Sequence, residues 1–212
     1  MLSMARVTQE HLDARRRQIL DGAALCFARN GFHATSMQDV LKEVDLSAGA
    51  VYRYFSGKNE LIKAIVTEVL AEVREGFEAA ARQSPPPPPD ELVGRVMGSV
   101  IEGRVGMIHN GEFVYPRLII QVWAETMRNE ELSAVFHDGF GSVRAAWMKV
   151  VQGYQDAGMM RDDVPAESVA RTMIATAQGF VAQMAVFGTA PVEVLQEGLQ
   201  GLMSMGNPDA RT

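Results

Sequence analysis

Apolar residues recur every three or four positions along almost the whole chain, and the interruptions carry glycine, proline or a side chain able to cap a helix. Ile19, Ala23, Cys26 and Phe27 form the first stripe. In a second short segment Met37, Val40, Leu41 and Val44 share one side, leaving Ser36, Gln38, Asp39 and Lys42 outward. Thr35 is placed to cap that helix, with Gln38 reaching back to the N–H of the cap residue. A break at Asp45-Leu46 leads to Ser47, the cap of a third helix predicted over Ala48 to Phe55. So short a helix does not survive alone in water, and Leu46, Val51 and Phe55 are the residues to hold it by packing.

Beyond this pair of short helices the period lengthens into larger elements. Leu61, Ile65, Val69 and Val73, flanked by Ile62, Val66, Leu70 and Phe77, predict one amphipathic helix over residues 58–82. Pro85 to Pro89 cannot be helical, and read as an extended, stiff and exposed connector. Five further helices are predicted near 90–109, 114–128, 130–157, 165–187 and 191–204. Pro116 suits a first helical turn, Asn129 a cap, and Gly158, Gly188 and Pro191 mark breaks. No stretch alternates apolar and polar residues with β-branched side chains, so a sheet is not expected and the fold class is all-α. The chain divides into residues 1–57, a connecting helix over 58–82, and a larger helical part over 83–212.

Composition is that of a globular protein, with 47% hydrophobic and 22% charged residues in 212. A single cysteine, Cys26, forbids an internal disulfide and suits a reducing cytoplasm. No run approaches the roughly 18 apolar residues needed to span a membrane. The net charge of −6 is unevenly spread. Residues 1–60 hold eight Lys/Arg against seven Asp/Glu, whereas the remainder holds twelve against nineteen. Any affinity for a polyanion must come from a few placed donors rather than a general basic field.

Such donors are concentrated around the third helix. Ser47, Tyr52, Arg53, Tyr54 and Lys58 all offer protons, and phosphate oxygens can only accept them. Ala48, Gly49 and Ala50 leave the N-terminal end of this helix slim, as entry into a DNA major groove requires. An ordinary helical hairpin with exposed aromatics remains the alternative on composition alone.

Thr35-Ser36 followed by Val40, then Leu46 through Phe55, then Lys58 and Glu60-Leu61, resembles the N-terminal domain of the TetR family of transcriptional regulators. Arg17 to Ala23, with Phe27 and Gly31-Phe32, is similar to that family's first helix and the glycine that ends it. The resemblance implies a three-helix helix-turn-helix domain followed by a larger helical ligand-binding and dimerisation domain. It places Thr35, Tyr52, Tyr54 and Lys58 on phosphates, Ala48, Gly49 and Ala50 toward the bases, and Arg53 on either. Ser36 and Ser47 complete the expected DNA-binding set. Ala48 departs from the longer or basic residue common at that position, which shifts readout toward thymine methyls and DNA shape.

The same resemblance implies a homodimer on a palindromic operator in double-stranded DNA, released by a small-molecule inducer; the residues themselves signal no metal and no cofactor. Thr176, Phe180, Met184, Phe187, Val192, Leu195, Leu199 and Leu202 form the stripes expected at a four-helix dimer interface, the alternative being that they fill one protomer's own core. The inducer pocket is expected among Met97, Arg104, Met107, Phe113, Gln121, Trp123, Phe140, Trp147 and Phe180, close to the glycines at 94, 98, 103 and 106. Two other functions stay open on the residues alone: a helical protein-binding adaptor, and a small helical enzyme using carboxylates from Glu102, Glu112 and Glu125. The four histidines show no metal-binding spacing, and neither a phosphate-cradling glycine loop nor a serine elbow is present.

Overall fold

Helix α1 (Gln9–Asn30) ends where Gly31 turns to φ +88°, a conformation that side chains with a Cβ rarely adopt. A computed structural model describes residues 9–204. The outermost parts of the predicted terminal domains, residues 1–8 and 205–212, lie outside the described residues. Helix α2 (Met37–Val44) and helix α3 (Ala48–Tyr52) follow, and α4 (Lys58–Ala81) matches the long amphipathic helix expected there. The later helices are α5 (Pro89–Glu102), α6 (Tyr115–Thr126), α7 (Glu130–Asp156), α8 (Ala166–Phe187) and α9 (Val192–Met203). Among the described residues the protein is all-α apart from one small hairpin.

That hairpin corrects the expectation of a helix over 90–109 and of no sheet. Strands β1 (Ile108–His109) and β2 (Glu112–Phe113) pair antiparallel, Ile108 opposite Phe113 and His109 opposite Glu112. Between them Asn110 and Gly111 take φ +51° and +80°, the pair of positive values that a tight two-residue turn demands and that Asn-Gly supplies. Gly103 has already ended α5, its N–H bonded to the Ser99 carbonyl.

Residues cluster into two compact units. One comprises the described residues up to Val66 together with Met107–Ser133; the other comprises Thr67–Gly106 and the described residues from Ala134. In the first, α1 packs on both α2 and α6. Its interior holds Ile19, Ala23, Cys26, Phe27, Val40, Val51, Leu61 and Leu118, all essentially inaccessible. Phe27 and Phe32 meet with ring centroids 5.3 Å apart.

In the second unit Phe77 of α4 lies against Trp147 of α7, centroids 4.4 Å apart. Helix α9 packs on α5 across Gly94, where a Cβ would stand 2.1 Å from the Gln196 amide nitrogen. Gly94 therefore answers to close packing. The prolines are not the exposed connector that their number suggested. Pro86 and Pro87 are buried, the Tyr154 hydroxyl donates to the Pro87 carbonyl at 2.5 Å, and Gly153 makes room for Pro86. Proline rings are apolar and lack an N–H to satisfy, so this segment can lie on α7 without leaving a donor unpaired. Pro89 then opens α5, where a missing N–H costs nothing.

The stripes of α8 and α9 also divide. Phe180, Met184, Leu195 and Leu199 are buried within the single chain, which corrects their assignment to a surface between protomers. Phe187 is 83% exposed and Leu202 61%, joined by Val186 and Val194. Val192 and Thr176 are half-buried.

Candidate nucleic-acid interface

The short helices are held by caps and by α1. Ser36, rather than Thr35, caps α2: its hydroxyl oxygen accepts from the Asp39 N–H at 3.2 Å, and the Asp39 carboxylate accepts from the Ser36 N–H at 2.8 Å. The capping box is one residue later than the sequence suggested, and Asp39 takes the part expected of Gln38. These Ser36 hydrogen bonds hold the Asp39 carboxyl below its ordinary range. Asp45, which ends α2, is left-handed at φ +52°, and Gln18 of α1 donates to the Val44 carbonyl at 2.9 Å. Arg29 and Glu43 form a half-buried ion pair at 3.0 Å between α1 and α2.

Helix α3 is shorter than Ala48 to Phe55. It closes at Tyr52, while the N–H groups of Tyr54 and Phe55 turn back onto the Val51 carbonyl. Ser47 caps it, accepting from the Ala50 N–H at 3.3 Å. Val51 and Phe55 are buried beneath it, and the Arg16 guanidinium of α1 lies 5.5 Å from the Phe55 ring centroid. Outward stand Ser47, Ala48, Gly49, Tyr52 and Arg53, all exposed, with Ala50 and Tyr54 half-exposed. Among the described residues Arg53 has no hydrogen-bond or ion-pair partner, so its five donors face solvent. A slim, small-residue helix start ringed by free donors is a surface that can enter a groove and grip phosphates.

Two residues expected on phosphates are engaged elsewhere. Thr35 is 1% exposed, and its hydroxyl lies 2.7 Å from the Gly31 carbonyl and 3.2 Å from that of Cys26. It staples the end of α1 and does not face outward. Lys58 places Nζ 3.0, 3.4 and 3.2 Å from the carbonyls of Phe32, His33 and Thr35, and 4.8 Å from the Phe32 ring centroid. Three donors meet three acceptors, so Lys58 ties the start of α4 to the α1–α2 loop.

That loop has further ties that sequence reasoning missed. The Phe32 N–H donates to Gln121 Oε1 at 3.1 Å, and His33 Nε2 lies 2.9 Å from Glu125 Oε2. Partners 89 residues apart leave no signal in a single sequence. Gln121 was expected in an inducer pocket; its carbonyl oxygen is spent here.

The other pocket candidates fall in both units. Met107, Phe113 and Trp123 belong with Gln121 to the first, and Met97, Arg104, Phe140, Trp147 and Phe180 to the second. Trp147 is core, 2% exposed, and Arg104 pairs with Glu72 at 2.8 Å. A groove of about 280 Å³ between α4 and α7 in the second unit, lined by Leu70, Ala71, Arg74, Val135 and Asp138, includes none of the nine. Glu112 pairs with Arg117 at 2.6 Å, and among the described residues no three His, Cys, Asp or Glu side chains gather as a metal site would require.

The caps, the left-handed turn at Asp45 and the outward α3 define a helix-turn-helix DNA-binding domain. Residues 19–65 match the model of the bacterial regulatory proteins of the TetR family. The chain is 24% identical over 199 residues to the HTH-type transcriptional regulator UidR of Escherichia coli, covering 92% of this chain and 94% of that one. It is 27% identical over 187 residues to the HTH-type transcriptional repressor AcnR of Corynebacterium diphtheriae, covering 86% and 87%. Its fold is similar to that of Salmonella enterica GusR, with TM-score 0.69 and 26% identity over 94% of this chain and 99% of that one. Residues 19–65 thus carry the TetR-family DNA-binding domain, and the chain, similar to such regulators along most of its length, is a DNA-binding transcriptional regulator.

Proposed function

We propose that the protein is a homodimeric repressor that binds a palindromic operator in the cytoplasm and is released from it by a small molecule. The carrying observation is the outward face of α3, where Ala48 and Gly49 leave the helix slim while Ser47, Tyr52, Arg53 and Tyr54 supply donors around it. One such helix reads too few base pairs for a unique site, so two copies about one DNA turn apart, roughly 34–36 Å, are needed.

Dimerisation is assigned to the surface left on α8 and α9. Val186, Phe187, Val194 and Leu202 are exposed, and around Gly179, Gly198 and Gly201 an added Cβ would meet nothing within 4 Å, so a second helix pair can approach closely there. The functional division assigned is residues 1–57 for DNA, 58–82 as connector and 83–212 for ligand and dimer. The inducer is assigned to the helices of the second unit, where the α4–α7 groove offers apolar walls with Arg74 and Asp138 as polar anchors. It acts by binding the non-docking conformation more tightly than the docking one. Among the described residues no helix is long and apolar enough to cross a membrane, in keeping with a regulator that works on chromosomal DNA.

Selection from a random duplex library tests this reading. The expected product is one enriched sequence with two-fold symmetry, bound with an affinity that falls steeply as salt rises. An unenriched pool, or binding indifferent to salt as in an apolar protein contact, overturns it in favour of an adaptor.

A further inference from the structure

The five residues between α1 and α2, Gly31 to Thr35, are held from two sides at once. From the start of α4, Lys58 reaches three of their carbonyls. From α6, Gln121 takes the Phe32 N–H and Glu125 pairs with His33. Gln121 and Glu125 are four residues apart on one helix and so occupy one face. A roll or slide of α6 therefore acts on both contacts together.

The two contacts are unequal in kind, and each is costly to lose. Gln121 satisfies a backbone N–H in the turn that follows α1, with Phe32 itself 6% exposed. Glu125 is 7% exposed, whereas the His33 side chain is 69% exposed. A carboxylate that deep needs its partner, so separating α6 from the loop strands a buried charge. Gly31 adds a geometric detail: a Cβ there would stand 3.1 Å from Gln121 Oε1, so the Gln121 amide lies close against the turn. One residue beyond Thr35 begins the capping box of α2, and α3 is tied to α2 through the Asp45 turn. The loop is therefore the handle by which the helix-turn-helix is aimed.

We propose that Gln121 and Glu125 are positioning residues for DNA binding: with both contacts made, α6 holds α2 and α3 in the docking orientation, and with both released the pair loosens. This rests on the DNA-binding reading above and assigns the hold to two side chains of α6, acting by way of the α1–α2 loop without touching DNA.

The test uses full-length Gln121→Ala, Glu125→Ala and Glu125→Gln. In DNA-free protein, amide hydrogen exchange across residues 31–56 rises about tenfold in both alanine variants, while the buried segment 143–151 of α7 stays as in the parent. Affinity for the library-selected DNA falls about tenfold. The slope of affinity against salt does not change, because no phosphate-neutralising cation is removed. Glu125→Gln, which still accepts a hydrogen bond from the imidazole, restores most of the loss. A purely structural role would lower stability without loosening residues 31–56 selectively and without rescue. Unchanged exchange in a folded alanine variant overturns the proposal. If Glu125→Ala does not fold, half-exposed Gln121 carries the test. A library that yields no site defeats the DNA-binding reading, while exchange still decides whether α6 positions the helix pair.

Discussion

Gly22 and Val44 approach so closely that a methyl group on Gly22 would stand 2.3 Å from Cγ1 of Val44. This is where α1 crosses the end of α2, one helical turn beyond Gln18, which binds the Val44 carbonyl. Alanine is the better helix former by about 1 kcal/mol, but the overlap forces the helices apart. Gly22→Ala is expected to cost about 1–3 kcal/mol net and to weaken operator binding while leaving helix content almost unchanged. Urea titration beside far-UV dichroism measures both, and a stabilised variant would show that α2 can yield.

The α2 cap makes a prediction with a definite pH sign. Ser36→Ala should cost about 1 kcal/mol. Asp39 has its folded pKa lowered by hydrogen bonds from Ser36, so its stabilisation is present above the ordinary aspartate value and is lost as pH falls through the lowered one. The stability gap between the parent protein and Asp39→Asn should therefore narrow steadily with acid. A gap independent of pH would mean the carboxylate charge plays no part in the cap.

Arg53 and Lys58 should separate in a salt titration. Arg53→Ala removes an unpartnered cation and is expected to lower the salt slope of DNA binding by about one with stability unchanged. Lys58→Met removes three carbonyl partners and should cost about 1–2 kcal/mol of stability. Were Lys58→Met fully stable with a reduced salt slope, the lysine would be a phosphate ligand after all.

Val194→Asp and Phe187→Asp place a charge on exposed apolar positions and should give folded monomers by sedimentation, with loss of cooperative operator binding. Leu199→Asp, buried within the protomer, should instead unfold the second unit. A dimer that survives both surface variants would move the interface elsewhere.

Burial, reinforced by the nearby Glu43 carboxylate, pushes the Cys26 thiol up to about 11. Its folded pKa is raised, so its contribution is whole below the unfolded thiol value and falls away as pH climbs toward the folded one. Thiol reagents should label Cys26 only as the protein unfolds, and the stability advantage of the parent over Cys26→Ala should shrink above about pH 9. Rapid labelling under native conditions would contradict this.

Much of the architecture was written in local spacing. The long helix beginning at Lys58, Ser47 as a cap, Asn129 as a cap with its side-chain oxygen 3.0 Å from the Leu132 nitrogen, and Pro116 in a first turn all depend on neighbours within about four residues. The slim front of α3 with its ring of donors was likewise readable, because composition and period together place those residues on one face. Asn110-Gly111 is a local signature of a two-residue hairpin turn, but strands of two residues each are too short to show alternation.

Periodicity declares that a face is apolar, but not which other face it meets. So Phe180, Met184, Leu195 and Leu199 could be ascribed to a partner as easily as to the protomer's own interior, and folding chose the interior. The same holds for polar side chains. A lysine, a threonine and a glutamine each advertise donors or acceptors, yet whether Lys58, Thr35 and Gln121 turn to phosphate, ligand or backbone is settled by which segments the packed core brings within hydrogen-bond reach. Chain order determined most of the helices and the caps at Ser47 and Asn129; only the three-dimensional packing decided that the turn after α1 would be grasped by residues from two distant helices.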